Sequence, residues 1–208
     1  MNWQDLVLTA NFPAEISCEE ISRSETRITL RWEKQPYDAP ALCVTWKTAL
    51  KDIQYEWYPL CGRDRALRTD WDAPIHTSFS TGAPVFCFYN EEGQNRLTIA
   101  LSEVRLETLH SYGVHEEDGN LLCRLEVPLP MTSSAAQYSV TLLRLREDVR
   151  YETALRQVAD WWEQHCATSP MPVPEAARQP LYSTWYSFHQ ETVAADLEAT
   201  CVLAAQDG

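Results

Sequence analysis

The nearest approach to acid–base chemistry in this chain is Asp70-Trp71-Asp72, two carboxylates either side of an indole. On extended backbone, residues two apart share a face, so the pair could address one substrate. The plainer reading is a solvated polar loop. Two carboxylates acting as nucleophile and as acid then base must stand about 5–5.5 Å apart, and no pair in the sequence is identified as such. Glu116-Glu117-Asp118 reads as the solvated tip of a hairpin. His110 and His115 differ in strand parity and so point to opposite sides of one strand, while His76, His165 and His189 stand alone. A metal set of the usual spacing cannot be assembled from them. The six glycines include no GxGxxG, so there is no phosphate-cradling loop. Ser183 and Ser187 lack the flanking glycines of a nucleophile elbow. The sequence thus names no catalytic residue, no metal ligand and no cofactor.

The remaining chemistry is aromatic: eight Trp, nine Tyr and five Phe. Such faces bind sugar rings, and they also fill cores. Seven cysteines, an odd number with no CxxC, lie mostly in apolar strand patterns. Reduced buried thiols fit this better than zinc or a disulfide framework.

Short strands with period-2 alternation must position these groups over residues 1–147. Ile28, Leu30 and Trp32 alternate with Arg27, Thr29 and Arg31. Leu42, Val44 and Trp46 repeat the pattern, as do Ile53, Tyr55 and Trp57. Pro84 to Tyr89 is nearly all apolar, as in a strand covered on both faces, and it turns into Leu97, Ile99 and Leu101. Asp118-Gly119 predicts a second hairpin between 109–114 and 121–125. About ten strands without a helix among them predict a large antiparallel β-sandwich. Residues 148–180 read as a linking helix and a connector. Asp148 is the expected N-cap, and Tyr151, Leu155, Val158 and Trp162 form the apolar stripe. Prolines 170, 172, 174 and 180 make the connector extended. Residues 181–208 read as one β/α unit, a strand over 181–190 and a helix from Glu191 to Asp207 closed by Gly208.

The balance is acidic, with 17 Lys+Arg against 30 Asp+Glu and a net charge of −13. A nucleic-acid partner needs a basic footprint, and none is present. The N-terminus has no apolar leader and no run nears the roughly 18 apolar residues of a membrane span. The expectation is a cytoplasmic protein without a membrane partner.

With these elements placed, the tail resembles the opening of the catalytic barrel in glycoside hydrolase family 36, the melibiase-type α-galactosidases. Trp185 and Tyr186 are similar to the aromatic motif of barrel strand one, and Leu203-Ala204-Ala205-Gln206-Asp207-Gly208 is similar to the ending of the first helix. Trp71 to Ile75, Ala83 to Cys87 and Asn95 to Ala100 resemble core strands of the family's N-terminal sandwich. The resemblance implies a mainly β chain whose β/α unit starts a (β/α)8 barrel that lacks the rest, since such a barrel needs about 250 residues. It implies an α-galactoside substrate, with Trp185 and Tyr186 near the galactose, Trp185 in its wall and His189 at the rim. Alternation puts Trp185, Ser187 and His189 on one face and Tyr186 and Phe188 on the other, and parity leaves open which face meets substrate. The galactose-gripping and catalytic aspartates are expected downstream of Gly208, so this polypeptide alone is expected to be inactive. The sandwich would support the barrel and offer a surface for homo-oligomers. The alternative is a non-catalytic carbohydrate-binding or interaction module.

Overall fold

The computed structural model describes residues 1–34, 39–130, 136–166 and 170–207. It divides into two units, Met1–Ser169 and Pro170–Gly208. The first unit holds β1 (Asn2–Trp3), β2 (Leu6–Ala10), β3 (Glu15–Ser22), β4 (Glu25–Arg31), β5 (Ala41–Ala49), β6 (Tyr55–Trp57), β7 (Ile75–Thr77), β8 (Val85–Tyr89), β9 (Asn95–Leu101), β10 (Thr108–His115), β11 (Asn120–Pro128) and β12 (Gln137–Leu145), then helix α1 (Tyr151–His165). Two antiparallel six-stranded sheets result, in the orders β1-β2-β5-β11-β10-β7 and β3-β4-β12-β9-β8-β6. The sandwich is therefore present, with twelve strands among the described residues.

Alternation explains most of it. Ile28, Leu30, Val44, Trp46, Leu121, Leu125 and Val140 all turn into the core between the sheets, with Phe86, Phe88 and Tyr112 among its largest members. Both expected hairpins form. β8 pairs β9, and β10 pairs β11 across the turn in which Gly119 takes φ +64°. All five residues of β8 are buried because the second sheet is covered twice. Its outer face carries α1, whose Ala154, Val158 and Trp161 pack on Val85, Ala100, Leu143 and Leu145.

Several expectations need correction. Trp161, not Trp162, is the deeply buried indole of α1, while Trp162 sits at the margin and donates Nε1–H to the Leu101 carbonyl at 2.8 Å. Asp148 does not cap α1. Arg150 occupies that position without a side-chain capping bond, and Asp148 accepts from Arg96 at 2.7 Å instead. In β6 the expected faces are exchanged: Glu56 is buried, whereas Tyr55 is exposed and Trp57 only half-buried. Ile53 belongs to the preceding turn, donating its N–H to Leu50 after Asp52 takes φ +61°. Its phase therefore does not carry into the strand.

The second unit contains a 3-10 turn (Glu175–Arg178) inside the otherwise extended connector, α2 (Trp185–Phe188) and α3 (Ala194–Asp207). The helix expected from Glu191 is α3, shortened at its start. The strand expected over 181–190 is not formed; a helical turn occupies its centre. A strand needs ladder bonds to a neighbour, and the described residues of the second unit include no strand to pair with it. Its N–H groups close locally, Phe188 onto Thr184 at 2.9 Å and His189 onto Trp185 at 2.9 Å. Between Pro170 and Gln206 every residue is exposed or half-buried, none fully buried. The glycine expected at the C′ position of α3, Gly208, lies outside the described residues. Among the described residues no helix is long and apolar enough to cross a membrane.

Candidate functional site

Of the eight tryptophans, Trp71 (66% exposed) and Trp185 (53%) are the two left on the surface, one in each unit. The other six are buried or half-buried.

The α2 turn brings together two of the three site residues singled out in the sequence, Trp185 and His189. Trp185, Phe188, His189, Gln190 and Glu191 line a surface depression of about 520 Å³. The Trp185 and His189 rings meet edge to face, centroids 5.6 Å apart and planes at 79°. One helical turn separates these two residues, so the helix places them together as the expected alternation would have done. His189 ends the turn at φ +51°, a left-handed backbone that is costly for a residue with a Cβ. Tyr186 does not line the depression and is 86% exposed. A flat indole beside an imidazole and a carboxylate can receive one face of a ring and bond its polar edge. Glu191 is the one carboxylate lining it, so the two-carboxylate chemistry of glycoside hydrolysis is not assembled there.

The aspartates around Trp71 lie in the first unit. Half-buried Asp70 contacts His115 Nδ1 at 2.5 Å, and Asp72 accepts the Thr69 N–H at 2.9 Å. These bonds fix the turn that presents Trp71, and both carboxylates border a shallow depression on the outer face of the first sheet. His110 and His115 do point to opposite sides of β10, His110 into the core. No group of three or more His, Cys, Asp or Glu converges as a metal site among the described residues. All seven cysteines are free, and burial pushes the Cys87 thiol up to about 12.

Two buried polar constellations carried no sequence signal. Glu56 lies opposite Phe88 in the ladder and accepts from Arg68 Nε at 2.7 Å, and the Arg68 guanidinium lies 5.3 Å from the Tyr58 ring centroid. Burial pushes the Glu56 carboxyl above its ordinary range, and attraction to Arg68 opposes this only in part. Glutamate inside an alternating run would have marked it only if Ile53, Tyr55 and Trp57 had not suggested the opposite phase.

The second constellation is a hydrogen-bonded row along β10. Thr108 Oγ1 donates to the Thr77 carbonyl at 3.2 Å, leaving it to accept from His110 Nε2–H at 2.8 Å. His110 Nδ1 then accepts from the Tyr112 hydroxyl at 2.9 Å. Each ring nitrogen is satisfied in the neutral form, with Phe86 stacked on the imidazole at 4.7 Å. Burial, with a smaller contribution from Arg68, pushes His110 down to about 3. A histidine that protonates more readily unfolded than folded lowers stability as pH falls below its unfolded value of about 6.5. Denaturant unfolding over a pH series is therefore expected to fall more steeply with acidification for the wild type than for His110→Gln. Parallel profiles would show that His110 does not titrate differently in the two states.

No protein-family model and no curated protein matches the chain.

Proposed function

We propose that this chain is the sandwich and linker portion of an α-galactosidase-like glycoside hydrolase, with catalysis supplied by carboxylates outside these residues. The observation that carries the reading is the order of parts. A β-sandwich is followed by a 15-residue helix seated on its second sheet, a proline-rich connector, and the aromatic segment in which Trp185 and His189 share one depression. That order and those residues are similar to the approach to a family 36 barrel. Trp185 would offer its face to an α-galactoside, with His189 and Gln190 bonding the sugar's edge and Tyr186 nearby. In this reading the 181–190 segment takes the conformation of a barrel strand only when a neighbouring strand pairs with it, because ladder bonds and not propensity hold a parallel strand.

The polypeptide of residues 1–208 is expected to release no chromophore from a chromogenic α-galactoside. Turnover lost on Asp70→Asn or Asp72→Asn would place the chemistry in the sandwich and overturn the reading. The coding frame is expected to continue past Gly208 into an Asp-Asp-Gly-Trp-like strand, and a stop codon there would exclude a barrel enzyme.

A further inference from the structure

The outer face of the first sheet has a different fate from that of the second. Where α1 covers the second sheet, no described helix of the first unit covers the first. Beside it the segment 68–74 bridges to β10 in parallel at Thr69 and Val114 and raises a wall bearing Asp70, Asp72 and Pro74. This close approach depends on Gly113. A Cβ there would lie 2.1 Å from the Thr69 carbonyl carbon, so only glycine permits the approach.

Below that wall the register builds two rows of side chains across four strands. Ser111, Arg124, Thr45 and Val7 stand opposite one another in turn, as do Leu109, Glu126, Cys43 and Thr9. None of the eight is buried. Two depressions, of about 390 and about 560 Å³, lie along these rows and share Arg124 and Glu126. At ordinary strand spacing the rows span about 14 Å from β10 to β2.

We infer that this trough is a binding site for a neutral oligosaccharide, separate from the Trp185 depression. The half-buried Leu109 and Leu122 on the floor, with the exposed Trp71 in the turn between the lining Asp70 and Asp72, offer apolar surface to sugar C–H faces. Asp72, Ser111, Arg124 and Glu126 offer acceptors and donors to hydroxyls, the Arg124–Glu126 pair standing 3.6 Å apart and open to solvent.

Other ligand classes fit poorly. In the first depression Asp70, Asp72 and Glu126 face the single cation Arg124, which disfavours anionic chains. An extended peptide would need a free sheet edge to add a strand, yet β10, β11 and β5 are each paired on both sides.

The site is independent of the hydrolase reading and is tested apart from it. Raffinose, cellohexaose, xylohexaose and mannohexaose are titrated into the 1–208 polypeptide and followed by amide and indole NMR shifts, with hexagalacturonate as the anionic arm. At least one neutral sugar is expected to shift Trp71, Ser111, Thr45 and Arg124 together. Trp71→Ala and Arg124→Ala should each weaken it about tenfold or more, Trp71→Phe should retain most binding, and Trp185→Ala should leave it unchanged. Trp71 is exposed, so Trp71→Ala is expected to melt like the wild type. Absence of any shift, preference for hexagalacturonate, or shifts confined to Trp185 and His189 would each overturn the trough, the last leaving the hydrolase reading in place.

Discussion

Gly113→Ala is expected to lower the melting temperature of the protein by about 10 °C. The added methyl would meet not a mobile side-chain tip but the backbone of Thr69 and Asp70, at 2.1–2.4 Å. One of the two segments must therefore move. Overpacking of this kind costs about 3 kcal/mol, and a domain of this size loses about 2–4 °C per kcal/mol. If the 68–72 segment lifts off, it forfeits the bond from the Val114 N–H to the Arg68 carbonyl (2.8 Å) and that from the Asp70 N–H to the Val114 carbonyl (3.3 Å). It also forfeits the Asp70–His115 contact and the placement of Trp71. Calorimetric melting with amide exchange at Val114 reads both consequences. An unchanged melting temperature would mean that the wall is not seated on β10.

Arg68→Ala should be costly for an electrostatic reason. Arg68 is the partner that makes a buried carboxylate tolerable at Glu56, and its own side chain is only 16% exposed. Removing one member of a buried pair typically costs 3–5 kcal/mol, because the other charge is left without compensation. The loss should depend on pH with a defined sign. Glu56 already has its carboxyl raised by burial and held down in part by Arg68. Without that cation its folded pKa rises further above the unfolded value. Stability is then retained at acid pH, where the carboxyl is protonated in both states, and lost as pH rises through the folded value. Denaturant unfolding should thus show a larger deficit for Arg68→Ala at neutral pH than at mildly acid pH. The double variant Glu56→Gln, Arg68→Met should recover much of it, since a neutral pair leaves no buried charge. A deficit under about 1 kcal/mol, or one independent of pH, would show that the pair behaves like an exposed one.

Both variants concern features that local pattern could not reveal. The β10–β11 hairpin was legible because its turn chemistry is local, Asp118-Gly119 supplying the positive φ at Gly119. β4 and β5 were legible because Ile28, Leu30, Val44 and Trp46 alternate without interruption. β6 was not, since its phase is reset by the turn at Asp52 and its buried residue is a glutamate whose partner lies twelve positions away. Trp185 and His189 were expected on one face and do share a depression, though through a helical turn. Asp70 and Asp72, which would share a face only on extended backbone, lie in a turn and border one depression from it. Arg124, Glu126 and Ser111 carried no signal, because their meeting depends on strand register across the sheet.

By itself the sequence determined which residues alternate, where the tight turns fall, that a helix follows the strands, and that a proline-rich stretch follows the helix. These are properties of neighbouring residues, set by the periods of strand and helix and by the conformational limits of glycine and proline. Only the tertiary structure decided the sheet order, the burial of Glu56 against Arg68, the covering of one sheet by α1 and the exposure of Trp71. It also decided that 181–190 closes its hydrogen bonds as a turn. Each of these depends on which distant segment stands alongside, and apolar periodicity specifies that a face must be covered without specifying by what.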